Sequence, residues 1–138
     1  MLCSSAKTMP YKVLVIEDNT DCRELFAMLI RHFGFHVIEA DDGEIGVQKA
    51  LRRKPDLIFM DVGLPSTSGI EATACLRASA ASKNIPVIMC SGWMAQKNRE
   101  AALRIGAQAV INKPVSMDRL ETILLHYLPA PDDAIKVQ

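Results

Sequence analysis

The chain predicts an α/β fold, a parallel sheet covered by helices on both faces. Three observations carry that prediction. Short apolar runs alternate with segments of helical periodicity along nearly the whole sequence. The runs Val13-Leu14-Val15-Ile16, Leu57-Ile58-Phe59-Met60, Val87-Ile88-Met89-Cys90 and Ala109-Val110-Ile111 are near-continuously apolar, as strands buried on both sides are. Each run ends on polar, chemically capable residues followed by a turn.

In chain order, the first strand covers about Lys12 to Glu17. Asn19, Thr20 or Asp21 can cap the helix that follows, and Leu25, Phe26, Leu29, Ile30 and Phe33 recur at helical spacing before Gly34 ends it. A short strand, His36 to Glu39, leads to Asp41 and Asp42, which read as a cap or turn. Ile45, Val47, Ala50 and Leu51 mark the second helix, which stops before Pro55. The third strand, Asp56 to Met60, passes through the turn-rich stretch 62–69 into a helix from Gly69 to Ala78. A polar connector, Ala78 to Asn84, precedes the fourth strand, Pro86 to Cys90, with proline at its start. The fourth helix runs from about Ala95 to Ile105 and stops at Gly106. The fifth strand is Gln108 to Asn112, and the last helix starts near Ser116, carrying Leu120, Ile123, Leu124, Tyr127 and Leu128.

A length of 138 residues fits one domain. Residues 1–10 read as a loose leader, 11–128 as the domain, and 129–138 as a short tail with two prolines, far below the roughly 50 residues a second domain needs. Lys and Arg total 16 against 16 Asp and Glu, which excludes the basic footprint of a nucleic-acid binder. No apolar stretch approaches the ~20 residues that span a bilayer. Cys3, Cys22, Cys75 and Cys90 have neither Cys-x-x-Cys spacing nor a histidine pattern, and are expected as free thiols, two or three of them buried, in a cytoplasmic protein.

Function concentrates at the strand ends. Parallel α/β sheets gather the carboxyl ends of their strands along one edge, where ligands bind. Here that edge would collect Glu17, Asp18, Asp61, Ser91 and Lys113. Nucleotide and flavin sites cradle phosphate at the first strand–helix turn with glycines, hydroxyls and bare N–H groups. Two carboxylates there repel a phosphate unless a cation lies between. All-oxygen donors without histidine or thiolate point to Mg2+ rather than zinc, with Mn2+ as a second choice. Asp61 would be the nucleophile, since carboxylates form acyl phosphates. A metal ion and Lys113 would neutralise the transferred phosphoryl group, and Ser91 would donate to one of its oxygens.

From about Tyr11 to Leu128 the chain resembles the receiver domains of two-component response regulators. The resemblance rests on Glu17-Asp18 after the first strand, Asp61 after the third, Ser91-Gly92 after the fourth and Lys113-Pro114 after the fifth. The loop from Leu64 to Gly69 also looks like that family's. The resemblance implies a flavodoxin-like (βα)5 fold with strand order 2-1-3-4-5. It implies a phosphoacceptor Asp61 served by a histidine kinase or histidine phosphotransfer protein. It assigns magnesium to Asp18, Asp61 and the Gly63 carbonyl, with Glu17 acting through a water, and it implies a cis Lys113–Pro114 bond. An output surface on the fourth helix, fifth strand and fifth helix would meet a downstream protein.

Three positions depart from the usual family pattern. Val110 stands where relatives often carry an aromatic residue or histidine that turns inward on activation. Gly63 and Trp93 stand where many relatives carry polar groups beside the phosphoryl group. Taken singly, Asp61 reads as a turn carboxylate, Ser91 as a cap for the fourth helix and Lys113 as a solvated lysine; together they read as a site. His32, His36 and His126 lie away from the strand ends and read as structural or exposed. The rival readings are a receiver-like adaptor that works without phosphorylation and an aspartate-nucleophile phosphatase. The adaptor would have lost an acidic residue or the lysine, and none is lost. The phosphatase usually needs a second Asp two residues after its nucleophile, where this chain has Gly63. The expected protein is therefore a signalling switch and not an enzyme.

Overall fold

In a computed structural model, which describes residues 11–64, 67–92 and 96–129, strands and helices alternate throughout. They are β1 (Lys12–Ile16), α1 (Thr20–His32), β2 (His36–Ala40), α2 (Gly43–Arg53), β3 (Leu57–Asp61), α3 (Gly69–Ala78), β4 (Val87–Ser91), α4 (Gln96–Ile105), β5 (Ala109–Asn112) and α5 (Met117–Tyr127). The strands pair in parallel in the order β2-β1-β3-β4-β5, the expected topology.

Local chemistry sets the helix ends. The Asn19 side chain accepts from the Cys22 N–H and starts α1, whose far end turns through Gly34 at φ +98°. Ser68 and Glu71 form a reciprocal capping box at α3. Asp42 occupies the cap position of α2, and Ser116 caps α5 by accepting from the Arg119 N–H. The Lys113–Pro114 peptide is cis.

The sheet carries a core on each face, because successive strand residues point to opposite sides. Leu14, Ile16, Ile58, Met60, Val87 and Met89 pack with Ala50, Ala72, Leu76 and Ala102, the inward residues of α2, α3 and α4. Val13, Val15, Leu57, Phe59, Ile88 and Ile111 pack with Ala27, Ile30, Leu120 and Leu124 of α1 and α5. Phe26 meets Phe59 edge to face at 4.9 Å.

Three expectations need correction. Ile45 and Leu51 mark the period of α2 but point outward; Gly43, Gly46 and Ala50 form its inner face. That face is small because the helix lies close on the sheet, where a Cβ at Gly46 would come within 2.4 Å of Ile16 Cδ1. Leu25 of α1 is likewise exposed. Among the described cysteines Cys90 is buried, whereas Cys22 and Cys75 lie on outer helix faces. Ser91 ends β4 and is buried there. The leader 1–10, residues 130–138 of the tail and Trp93 lie outside the described residues. Pro129 is held at the domain, its carbonyl accepting from the Tyr11 hydroxyl at 2.9 Å.

Gly69 closes α3 onto the end of β3. A Cβ there would meet the Asp61 carbonyl oxygen at 2.5 Å and Val62 Cα at 3.0 Å. Backbone cannot swing aside as a side chain can, so Gly69→Ala should cost about 1–3 kcal/mol of unfolding free energy. Urea titration checks this, and a midpoint equal to wild type would show that α3 shifts freely.

Candidate functional site

Strand parity decides which end residues meet. Val13 and Val15 of β1 face α1 and α5, so Glu17 continues that side; Leu57 and Phe59 place Asp61 there, and Ile111 places Lys113 there. The register aligns Ile16 with Met60 and Asp61 with Cys90. The ladder also runs past the strands. The Glu17 N–H donates to the Ala40 carbonyl at 3.0 Å, the Val62 N–H to the Cys90 carbonyl at 3.1 Å, and the Lys113 N–H to the Ser91 carbonyl at 2.7 Å. The loops that carry the polar side chains therefore start from a paired backbone.

At this edge the Lys113 ammonium donates to Glu17 Oε1 at 2.5 Å and to Asp61 Oδ1 at 2.8 Å. The two acceptor side chains are only 10% and 12% exposed. Glu17 Oε2 accepts from the Asn19 N–H at 3.1 Å. Burial by itself lowers the Lys113 pKa, but the hydrogen bonds and charges of Asp61 and Glu17 outweigh it and hold the ammonium above its ordinary value. Lys113 is therefore charged throughout the physiological range.

Carboxylate oxygens of Glu17, Asp18 and Asp61 lie within 4.8 Å of one another, and Asp18 is the exposed member. Three carboxylates against one ammonium leave a net negative pocket of hard oxygen donors, which fits magnesium. Beside it runs a cleft of about 350 Å³, walled by Leu25, Phe26, Leu29, Phe59 and Val115 and reaching Glu17, Asp61 and Lys113.

The structure thus brings Glu17, Asp18, Asp61 and Lys113 together, and Ser91 is buried at the adjoining end of β4. Gly63 is exposed on the loop after β3, with open space around its Cα. Gly92 is exposed beyond β4, and Pro114 forms part of the cleft wall. Val110 is buried on the opposite face, in the core beneath α2, α3 and α4.

Sequence reasoning missed two features. One is that Lys113 binds Glu17 as well as Asp61. The other is Arg23, whose Nη1 donates to the Glu17 carbonyl at 3.0 Å while its Nε pairs with Glu39 at 3.2 Å. A signal for Arg23 existed. Helical side chains lean back toward the helix N-terminus, so an arginine in the second turn reaches the preceding loop.

Residues 13–125 match the model of the response regulator receiver domain family. The chain belongs to that family. The polar-differentiation response regulator DivK of Brucella anthropi is 34% identical over 120 residues, covering 87% of this chain and 98% of that one. The chemotaxis protein CheY4 of Vibrio cholerae superimposes with a TM-score of 0.82 at 25% identity, over 87% of this chain and 100% of that one. The receiver domain of a Pseudomonas aeruginosa sensor histidine kinase, solved with a magnesium ion in its active-site cleft, gives 0.81 at 29% identity, over 88% of this chain and 100% of that one. As a receiver domain the chain has a phosphoacceptor role in two-component signalling. Receiver domains interact with histidine kinases or phosphotransfer proteins, and the Glu17–Asp18–Asp61 pocket suits the magnesium ion that receivers use.

Cys90 lies directly under this receiver site. Burial, the largest influence, pushes its thiol up to about 12; Lys113 opposes the rise, and Asp61 and Glu17 add to it. Thiolate is the reactive form. At pH 8, iodoacetamide should therefore alkylate exposed Cys22 and Cys75 in the folded protein and leave Cys90 unmodified until denaturant is added. Peptide mass mapping reads the result, and alkylation of native Cys90 at the rate of Cys22 would contradict it.

Proposed function

We propose that Asp61 is the phosphoacceptor of this receiver domain, with Asp18, Asp61 and the Gly63 carbonyl holding Mg2+, or Mn2+, and Glu17 reaching it through a water. The supporting observation is the Lys113 ammonium 2.8 Å from Asp61 Oδ1, within a set of carboxylates whose oxygens lie within 4.8 Å. An Asp61 oxygen forms the new P–O bond as the P–N bond to the donor's phosphohistidine breaks, and the imidazole leaves with the electron pair. Bound magnesium supplies positive charge to the phosphoryl oxygens. Lys113 exchanges its contact with Asp61 for one with a phosphoryl oxygen, and the Ser91 hydroxyl donates to another. The domain thus catalyses its own phosphorylation and dephosphorylation and no other reaction.

The phosphohistidine donor reaches Asp61 through the cleft beside α1. In support, the cleft reaches Asp61, and Leu25 and Met28 are exposed on that helix at 53% and 58%. Output passes through α4, β5 and α5 to a downstream protein. Leu103 of α4 and Leu125 of α5 are exposed apolar side chains, and Arg99 of α4 donates to the Val110 carbonyl of β5 at 2.8 Å. With Val110 already packed in the core, this switch works without an inward-turning aromatic residue at that position. The phosphotransfer belongs to the cytoplasm.

Acetyl phosphate with magnesium should add one phosphoryl group to wild type, seen by mass spectrometry, and none to Asp61→Asn. Undiminished labelling of that variant would overturn the assignment. Magnesium should also raise thermal stability at matched ionic strength, by about 2.7 kcal/mol at a hundredfold excess over Kd. The gain should vanish in Asp18→Ala, and an equal gain there would remove Asp18 from the metal site.

A further inference from the structure

Glu17 and Asp18 sit in the loop just past β1, joined by one peptide bond whose orientation places the Cα from which each carboxylate side chain departs. The peptide between them is planar, so fixing its C=O direction fixes the plane that also carries the Asp18 N–H and Cα. That carbonyl accepts from Arg23 Nη1 at 3.0 Å. Arg23 is itself aimed, its Nε donating to Glu39 Oε1 at 3.2 Å with side-chain exposures of 15% and 29%. Glu39 is held in turn. Its Oε2 meets Arg31 Nη2 at 3.3 Å, and its backbone carbonyl accepts from Lys49 Nζ at 2.6 Å. On the other side, the Glu17 N–H is tied to Ala40, the residue after Glu39.

We infer that Arg23, aimed by Glu39, is a positioning residue for the metal site, clamping the Glu17–Asp18 peptide so that the Asp18 carboxylate is set before the ion arrives. A guanidinium suits this task because its planar fork serves two acceptors in fixed directions, which a lysine ammonium cannot do. The arrangement has a physical purpose. Like charges at Glu17, Asp18 and Asp61 push the loop open in the metal-free protein, and the clamp resists that without occupying a carboxylate oxygen. Partners behind metal ligands commonly set affinity by tenfold or more. Arg23 touches neither phosphoryl group nor ion in this account, so its effect runs through the loop alone.

The inference rests on the proposed reading of Asp18 as a metal ligand, and the test separates the two. Magnesium affinity is measured by calorimetry at 25 °C for wild type, Arg23→Lys, Glu39→Gln and Arg31→Gln, each first shown to be folded by circular dichroism. Arg23→Lys keeps the charge and loses the fork, and should weaken magnesium binding about tenfold. Glu39→Gln should weaken it less, and Arg31→Gln should leave it within about twofold, since Arg31 does not reach the loop. Hydrogen exchange in the metal-free proteins gives an independent readout. The Asn19 amide, bonded to Glu17 Oε2, should exchange faster in Arg23→Lys and not in Arg31→Gln. Unchanged magnesium affinity in Arg23→Lys, or equal weakening in Arg31→Gln, would overturn the clamp while leaving the metal site standing. No magnesium binding by wild type would overturn both.

Discussion

The Lys113 ammonium between Glu17 and Asp61 is the interaction on which the rest of the site depends. It joins residues 96 positions apart in sequence, from the ends of β1 and β5, across the end of β3. Two carboxylates less than 4.8 Å apart repel by roughly 3–4 kcal/mol at an effective dielectric of about 20. A cation in contact with both offsets that repulsion where little water reaches them. Ionised oxygens are what a divalent cation and a phosphoryl acceptor both require. Asp18, more exposed, is left outside the ammonium's direct contacts and free to complete an oxygen-donor set.

Around this contact the backbone leaves little freedom. The ends of β1, β3 and β5 are paired beyond their last regular residues, so the loops carrying Glu17, Val62 and Lys113 begin from fixed positions. Gly69 lets α3 approach the Asp61 carbonyl, and the Ser68–Glu71 capping box fixes where that helix starts. Arg23 and Glu39 hold the first loop from the α1 and β2 sides. The approach to the site lies between side chains of α1 and the loop after Lys113.

The far side of the sheet links the site to the rest of the fold. Arg99 bonds the Val110 carbonyl, so α4 is fastened to β5, the strand that leads into Lys113. Arg77 of α3 donates to the Gly106 carbonyl at 3.0 Å and, through Nη1, to the Ser82 and Lys83 carbonyls at 3.3 and 3.2 Å, joining α3, the loop before β4 and the turn before β5. The strand that leads into Lys113 and the loop before β4 are therefore tied to α4 and α3. A short, buried Val110 gives that coupling no long side-chain lever.

The amino-acid sequence by itself determined the alternation of strands and helices, the parallel sheet and the residues that end each strand. These are local facts, because buried strands need unbroken apolar runs and helix ends need Asn19, Ser68, Ser116 and Gly34 at fixed offsets. The order of Glu17-Asp18, Asp61, Ser91 and Lys113 along the chain was enough to point to the family and its phosphoacceptor role. Only the tertiary structure decided that Glu17, Asp61 and Lys113 share one side of the sheet edge. That depends on strand register, where a slip of one residue would turn a side chain to the opposite face. It also decided which helix faces turn inward. Gly46 and Ala50 line α2 while Ile45 and Leu51 stay outside, because the distance between helix and sheet, unlike helical period, is set by the packing of the whole layer. Arg23's reach to the loop before α1 follows from its place in the helix, but its pairing with Glu39 does not, since β2 meets it only after the chain has folded.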